Sequence, residues 1–292
     1  MCLFYISTAS RISPERWQPF VVDDDLGCYS YYLPHSSTDA VISSSRLDEW
    51  FTALHPNNYT SEPTGHAWTD ASYENRVLSR NTAWSASLNN DDSDGERCTC
   101  EYGYSDTWQP LIRSTKMLTV LRDITSVIKT IVGGSGAEGH DGFNSVNLNY
   151  YPMGGGVGYH ADDEFLFDGL NQSIRIVSLS LCARNHDGGH DGERLFQVKG
   201  KLNNETGNGE VRCEEGGTIS EITLKHGDIV TMEGMFQKFY LHSVWPGDDV
   251  ENVHIDDDRC QGERINLTWR TIVRHLDGSD ECRGLICPMS KR

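Results

Sequence analysis

The chain lacks long hydrophobic runs and is poor in positive charge. Its 292 residues include 25 Lys and Arg against 43 Asp and Glu, for a formal net charge of −18. The most apolar stretches, such as residues 174–183, are far shorter than the ~20 residues that a membrane-spanning helix needs. Residues 1–7 carry no basic group ahead of their short apolar run, as a secretory signal would. We therefore expect a soluble, intracellular protein of the nucleus or cytoplasm, without a membrane partner.

The cysteines lack the spacing of a disulfide framework or a zinc site. There are nine, and the close pairs Cys98 with Cys100 and Cys282 with Cys287 have no second pair at finger or ribbon spacing. Reduced thiols are expected, which fits an intracellular address.

The shortage of positive charge bears on possible partners. A strongly acidic surface repels phosphate, so the composition weighs against a protein that binds long nucleic-acid duplexes. Net charge does not describe how charge is distributed, and a few basic residues around one cleft can still bind phosphate locally.

Two hydrophobic patterns are present. Between residues 111 and 132 apolar residues recur every three or four positions, which predicts an amphipathic helix ended by Gly133 and Gly134. After Phe143 short apolar or alternating runs, separated by Gly, Asp and Asn, predict β-strands. These runs cover residues 146–151, 174–181, 195–198, 219–224, 229–233, 239–244 and 266–273. The pattern predicts a mainly β (α+β) fold, a sandwich or barrel with a flanking helix.

The remaining segments are polar. The first 75 residues have no long periodic segment and are expected to form short strands and loops. Residues 88–97 and 200–217 are polar insertions, and residues 247–262 form an acidic one. Each insertion predicts a solvated loop.

A set of separated residues predicts a metal site. His160, Asp162 and His242 supply two imidazoles and one carboxylate, the ligand set that holds Fe(II) on one face and leaves positions open for a co-substrate and O₂. Taken singly, a His-x-Asp sequence or a histidine in an apolar strand is more often structural. The segment His186-Asp-Gly-Gly-His190 also looks like a metal motif, but its glycines favour a loop, and we leave it out of the site.

Two arginines follow the third ligand. Arg264 and Arg270 are six residues apart in a predicted strand, so their side chains point to one face, which they share with Asn266 and Thr268. Guanidinium groups bind carboxylates bidentately. Such a face suits an organic dicarboxylate beside the metal.

Together these segments resemble the AlkB-like family of Fe(II)/2-oxoglutarate dioxygenases. The matching stretches, in the family's order, are residues 143–154, 158–164, 177–181, 226–230, 240–244 and 262–270. Upstream, residues 80–84 and 102–104 resemble the family's nucleotide-recognition region. The resemblance implies a lid at 76–110, a helix at 111–132 and a double-stranded β-helix, or jelly roll, at 143–275. Residues 1–75 are then an unassigned extension and 276–292 a tail.

The resemblance implies a role for each matching residue. His160, Asp162 and His242 would hold Fe(II), which uses O₂ and the co-substrate 2-oxoglutarate. The co-substrate would be bound by Asn149, Tyr151, Arg264, Asn266 and Arg270. Arg270 would pair with its distal carboxylate, and Arg264 would lie near its other end.

The implied substrate is an N-alkylated base in methylated DNA or RNA, demethylated with release of formaldehyde, succinate and CO₂. The residues implied to contact it are Arg80, Trp84, Tyr102, Tyr104, Asp163 and Glu164. The aromatic residues would stack on a base lifted out of its strand, and Asp163 would accept a hydrogen bond from an exocyclic amine. The alternatives are packing of the lid on the barrel for the aromatics, and support of the metal site or solvent exposure for Asp163.

Two other classes of function stay open. The acidic insertion at 247–262 would repel phosphate if it bordered the site, which favours a dioxygenase that acts on a protein side chain or a small molecule. The third class is a binding module without catalysis. The intact ligand set and both arginines argue against that class.

Overall fold

A computed structural model describes residues 14–39, 41–73, 76–86, 100–104, 107–133, 143–201, 218–245 and 262–274. The predicted loop at 88–97 lies outside the described residues, as do the tail at 276–292 and all but the ends of the insertions at 200–217 and 247–262.

The described residues form fourteen strands and three α-helices. The strands are β1 (Gln18–Asp23), β2 (Cys28–Leu33), β3 (Thr69–Tyr73), β4 (Arg76–Ser85), β5 (Tyr102–Tyr104), β6 (Thr107–Gln109), β7 (Ser145–Tyr151), β8 (Val157–His160), β9 (Ile174–Cys182), β10 (Arg194–Gly200), β11 (Thr218–Leu224), β12 (Ile229–Gly234), β13 (Tyr240–Trp245) and β14 (Arg264–Arg270). The helices are α1 (Ser44–Leu54), α2 (Thr115–Val132) and α3 (Phe236–Phe239). Short 3-10 turns cover Pro14–Arg16, His35–Ser37 and Pro56–Tyr59.

The strands build two facing sheets and a small hairpin. The larger sheet has the order β1-β2-β12-β9-β14-β7-β4-β3, the smaller β11-β10-β13-β8, and β5 pairs with β6. From β7 onward the chain passes back and forth between the sheets: β7, β9, β12 and β14 lie in the larger, and β8, β10, β11 and β13 in the smaller. All pairings within these sheets are antiparallel. This is the predicted double-stranded β-helix.

Alternation along the strands decides what each face contacts. In β14, Ile265, Leu267 and Trp269 belong to the apolar core under helices α1 and α2, whereas the even-numbered residues face the space between the sheets. Burying each large apolar side chain contributes ~1.5–3 kcal/mol. The indole of Trp269 also donates to Thr125 of α2, 2.9 Å away. The core therefore lies on one side of the larger sheet and the polar cavity on the other.

Helix α2 confirms the predicted helix. Ser114 caps its N-terminus by accepting the backbone N–H of Met117, and Gly133 follows its last turn with a left-handed φ of 74°. The helix starts at Thr115, four residues after the predicted start, because the hydroxyl cap lies at 114. No helix in the described residues is long and apolar enough to cross a membrane.

The described part of residues 1–75 is built into the same domain. Strand β2 pairs with β12, and β3 pairs with β4, so these residues extend both edges of the larger sheet. Helix α1 was not expected from the sequence. It is capped by Ser43 and buries Leu47, Trp50 and Leu54 in the core. Its apolar residues recur at helical spacing over only eleven residues, which is too few to stand out in a polar region.

Candidate metal and anion site

A cavity between the two sheets collects polar side chains from both. It is lined by Arg80, Tyr102, Gln109, Asn147, Asn149, Tyr151, Val157, His160, Asp162, Ser178, Phe196, Leu224, Met232, His242, Val244, Arg264, Asn266, Thr268 and Arg270. All eight residues predicted to hold metal and co-substrate therefore line one cavity.

The three predicted metal ligands meet at one end of this cavity. His160 ends β8 and is the direct cross-strand partner of His242 on β13. The Nε2 atoms of His160 and His242 lie 3.9 Å and 4.0 Å from the carboxylate oxygens of Asp162. Ligand atoms that each lie about 2.1 Å from one ion are separated by about 3–4 Å, so this spacing fits a shared metal.

A hydrogen bond to the backbone sets the tautomer of His160. Its Nδ1 lies 2.8 Å from the backbone oxygen of Gly158. A carbonyl can only accept, so Nδ1 carries the ring proton and Nε2 keeps its lone pair for the metal. For His242, the described residues supply no partner for the buried Nδ1.

Burial and charge put the three groups in their metal-binding protonation states. Burial and the nearby His160 lower the pKa of His242 to about 3. Burial also lowers the pKa of His160, against an opposing effect of Asp162. Burial alone would raise the pKa of Asp162, but Arg270 and the two histidines bring it below its ordinary value. At neutral pH both rings are therefore neutral and the carboxylate is ionised, as metal binding requires.

Two buried arginines extend the cavity away from the histidines. The guanidinium of Arg270 contacts Asp162 at 2.6 Å, and that of Arg264 donates to Ser180 and Asn266, each at 2.9 Å. In both arginines Nε and Nη1 are buried with no hydrogen-bond partner among the described residues. Buried donors of a cation cost several kcal/mol when unpaired, so this donor set fits an anionic ligand with more than one carboxylate.

The structure corrects the predicted order of the two arginines. The resemblance implied that Arg270 lies at the distal end of the co-substrate and Arg264 near its other end. Arg270 instead contacts the metal-site carboxylate, whereas Arg264 lies at the opposite end of β14, beside Tyr151. Their spacing fixes a shared face, but the direction in which β14 runs past the metal ligands depends on sheet topology.

The other predicted co-substrate residues also face the cavity. Asn149 and Tyr151 lie on β7, directly opposite Asn266 and Arg264 on β14. The amide of Asn266 accepts from Arg264 and donates to Thr268 at 2.8 Å. The arrangement holds the donor groups in fixed orientations.

Sequence reasoning missed several supporting polar residues. Ser178 and Ser180 on β9 hydrogen-bond to Asn266 and Arg264, at 3.0 Å and 2.9 Å. A polar residue at every second position of an otherwise apolar strand was the available signal. Gln109 and Asn147 also line the cavity, joined by a 3.1 Å hydrogen bond, but no local pattern distinguishes them.

The predicted base-stacking residues have different surroundings. Arg80 and Tyr102 line the cavity. Trp84 does not: it is completely buried, stacks on Tyr102 with 4.8 Å between ring centroids, and donates from its indole to the carbonyl of Cys100 at 3.0 Å. No face of Trp84 is open to a base, which corrects the prediction in favour of packing. The side chain of Tyr104 lies outside the described residues.

The two acidic residues after Asp162 have partners within the protein. Asp163 forms a 3.0 Å ion pair with Lys201. Glu164 is a hydrogen-bond acceptor for the hydroxyl of Tyr102, and burial together with Asp162 raises the pKa of Glu164 to about 7. Neither residue is among the side chains that line the cavity. These contacts support the metal-site loop, and a direct contact of either residue with substrate stays a prediction.

His190, which was left out of the predicted site, joins a second group with Asp48 and His226. Its Nε2 lies 2.9 Å from Asp48, whereas that of His226 lies 3.5 Å from the same oxygen. The backbone N–H of Cys182 donates to Nδ1 of His226 at 3.0 Å, so the proton of this ring is on Nε2. The two rings stack with centroids 3.8 Å apart and planes 9° apart. The ligand atoms of this group lie within 4.8 Å of one another, but the protonated Nε2 of His226 has no lone pair to offer a metal.

Comparison with known proteins agrees with this geometry. The sequence model of the 2OG-Fe(II) oxygenase superfamily matches residues 37–270. Over 164 residues the chain is 29% identical to the DNA oxidative demethylase ALKBH2 of Arabidopsis thaliana, which covers 52% of this chain and 43% of that protein. Over 132 residues it is 30% identical to replicase protein 1a of Grapevine leafroll-associated virus 3, which covers 45% of this chain and 4% of that protein. The chain spans less than half the length of either relative.

Among solved structures, an oxidoreductase of the 2OG-Fe(II) oxygenase family from Burkholderia pseudomallei is similar over 84% of this chain and 88% of its own, with 12% identity and a TM-score of 0.42. The family match spans most of the chain and includes the three ligands and both arginines. The predicted oxidoreductase family, with its Fe(II), 2-oxoglutarate and O₂, is confirmed: the chain belongs to the 2OG-Fe(II) oxygenase superfamily.

Proposed function

We propose that this protein is an Fe(II)- and 2-oxoglutarate-dependent dioxygenase that demethylates N-alkylated bases in DNA or RNA. One observation carries the oxygenase part: His160, Asp162 and His242 converge beside two buried arginines, in each of which Nε and Nη1 lack a hydrogen-bond partner among the described residues. The resemblance to the AlkB-like family and the match to a plant DNA oxidative demethylase support the nucleic-acid part.

In this proposal each group of the cavity has one task. His160, Asp162 and His242 hold Fe(II), Arg264 binds the distal carboxylate of 2-oxoglutarate, and Arg270 binds near the metal. When bound, the iron and its co-substrate use O₂ to hydroxylate an N-methyl carbon, so that 2-oxoglutarate becomes succinate and CO₂ and the methyl group leaves as formaldehyde.

The chain's own residues orient and enclose these groups. Arg270 keeps Asp162 ionised by its 2.6 Å contact. The apolar side chains of Phe196, Leu224 and Val244 line the cavity and limit water access to it. Arg80 and Tyr102, which line it too, are the residues we assign to the substrate side.

A second candidate is oxidation of a protein side chain or a small molecule. Two observations favour it: the net charge of −18, and the burial of Trp84, which removes one of three predicted base-stacking residues. Both concern the substrate and leave the metal and co-substrate site unchanged.

A direct assay separates these functions. Purified protein, Fe(II), 2-oxoglutarate and O₂ would be incubated with N-methylated single-stranded DNA, duplex DNA, RNA or methyl-lysine peptides, and succinate and formaldehyde measured. His242→Ala is the inactive control. Formaldehyde from oligonucleotides alone is the expected result. Release from peptides alone would move the assignment to the second candidate, and absence of succinate with every oligonucleotide would overturn the nucleic-acid proposal.

A further inference from the structure

The metal-site carboxylate is not positioned by the sheet that positions the two histidines. His160 and His242 face each other as cross-strand partners, so backbone pairing sets their separation. Asp162 follows the end of β8 and takes part in no strand pairing. Arg270 contacts its carboxylate at 2.6 Å, so a further contact is needed to place the backbone of Asp162.

Gln237 supplies this contact. Its side-chain Oε1 accepts the backbone N–H of Asp162 at 2.8 Å, and Gln237 is fully buried. A backbone N–H can only donate, so the amide orientation is fixed, and its Nε2 faces the sulfur of Met232 at 3.5 Å. Gln237 lies on α3, directly before β13, which carries His242. One side chain therefore links the loop of the carboxylate to the strand of the third ligand.

Lys201 closes a ring around this link. Its ammonium donates to the backbone carbonyl of Gln237 at 2.9 Å and forms a 3.0 Å ion pair with Asp163. The backbone N–H of Lys201 also donates to the carbonyl of Phe239 at 2.8 Å. A lysine that is only 5% exposed is held by such contacts, because an unpaired buried ammonium is costly.

We infer that Gln237 and Lys201 are positioning residues for the metal site. With Asp162 and Asp163 they form a unit that we call the brace. The brace rests on the proposed function, since it presumes that Asp162 binds the metal. Partners that orient metal ligands typically change metal affinity 10–100-fold when they are removed. The brace would place the carboxylate before metal arrives.

Space around the brace is limited. A Cβ added to Gly169 would come within 2.8 Å of the Ile174 side chain and 3.3 Å of Gln237 Cβ. Gln237 is itself fully buried, so its side chain has little free space around it. This packing favours one position of the amide.

The test measures binding of Co(II) alone, without oxygen or co-substrate, by its visible absorption. Gln237→Met keeps the length of the side chain but removes the acceptor, whereas Gln237→Glu keeps an acceptor oxygen. Gln197→Met on β10 is the matched control: Gln197 donates to Glu221, accepts a longer 3.3 Å hydrogen bond from Tyr159, and lies outside the cavity lining. We expect a loss of affinity of 10-fold or more for Gln237→Met, a much smaller loss for Gln237→Glu, and none for Gln197→Met.

Lys201→Met tests the brace without touching Gln237. If Lys201 acted only through its charge, removing a cation beside a metal site would tighten Co(II) binding. The brace predicts the opposite result: Lys201→Met weakens Co(II) binding, and Lys201→Arg restores part of the lost affinity. Circular dichroism confirms that each variant is folded, and Lys201→Met decides the question if Gln237→Met does not fold.

The outcomes separate the brace from the proposed function. Wild-type protein that binds no Co(II) would overturn the metal site and the brace together. Wild-type binding that survives Gln237→Met, or that tightens with Lys201→Met, would overturn the brace alone.

Discussion

Among the described residues, two groups each combine two histidines with one aspartate whose ligand atoms lie within 4.8 Å of one another, but their hydrogen bonding differs. In the group of His160, Asp162 and His242 the two rings are tilted by 48° with centroids 4.3 Å apart. In the group of His190, His226 and Asp48 the rings are stacked face to face. Residue types are the same in both, so composition does not separate them.

The difference comes from what the second ring nitrogen contacts. The Gly158 carbonyl accepts from Nδ1 of His160, so the lone pair of this ring is on Nε2, whereas the Cys182 N–H donates to Nδ1 of His226, so the proton of that ring is on Nε2. A backbone group that the sequence does not specify thus decides whether a histidine is a ligand or a hydrogen-bond donor.

The arginines near the two groups differ in burial. Arg270 is buried against Asp162, whereas Arg184 has a side chain that is 62% exposed and lies 3.4 Å from Asp48. A buried guanidinium with unused donors attracts an anion, while an exposed one is solvated. Only the first group is therefore prepared for a co-substrate.

The largest expected difference between the two histidine groups is the effect of their variants on metal affinity. His160→Ala or His242→Ala removes one of three ligands and is expected to reduce Co(II) affinity at least ~100-fold, as each ligand contributes several kcal/mol of binding. His190→Ala and His226→Ala should leave it unchanged. Absorption titration with Co(II) under anaerobic conditions measures the affinity of each variant. A clear loss in the His190 variant would mean that the stacked group also binds metal.

The next difference is in co-substrate binding. Arg264→Met should weaken 2-oxoglutarate binding ~100-fold, because it removes a buried charged partner worth ~2–5 kcal/mol. Arg184→Met should have no effect. The visible charge-transfer band of the anaerobic Fe(II) complex, titrated with 2-oxoglutarate, gives both affinities. Co(II) binding by Arg264→Met should stay close to wild type, and equal co-substrate affinity in the two variants would contradict the assignment.

The smallest difference is in the pH dependence of stability. Burial, with a further effect of His190, lowers the pKa of His226 from 6.5 to about 4. The unfolded chain then binds a proton that the folded chain does not, so stability is retained above pH 6.5 and lost as pH falls towards 4. At pH 5 this cost is about 2 kcal/mol.

Urea unfolding at pH 7 and pH 5 measures this effect. His226→Gln cannot take up the proton and should reduce the loss of stability between the two pH values by that amount, whereas His190→Gln removes only the smaller effect of His190 on that pKa and should reduce the loss less. An equal loss in wild type and His226→Gln would show that His226 does not titrate as its burial implies.

Much of the fold could be predicted from the spacing of hydrophobic residues along the chain. The runs at 174–181 and 229–233 formed strands β9 and β12 within one residue of their predicted ends, because apolar or alternating residues over this length suit a strand. Strand β8 was not predicted, since its four residues are too few to show a period. Its edge position in the smaller sheet comes from pairing with β13.

Sequence by itself determined the composition of the site. The order of His160, Asp162 and His242, with two arginines on one face of a later strand, was enough to predict a shared cavity, because a jelly roll brings these strand ends together. Tertiary structure decided the rest: which arginine contacts the metal end, that Trp84 is packed inside, and that Gln237 and Lys201 hold the carboxylate. The physical reason is that spacing along a chain fixes which face a side chain occupies, whereas its partners depend on segments that only folding brings near.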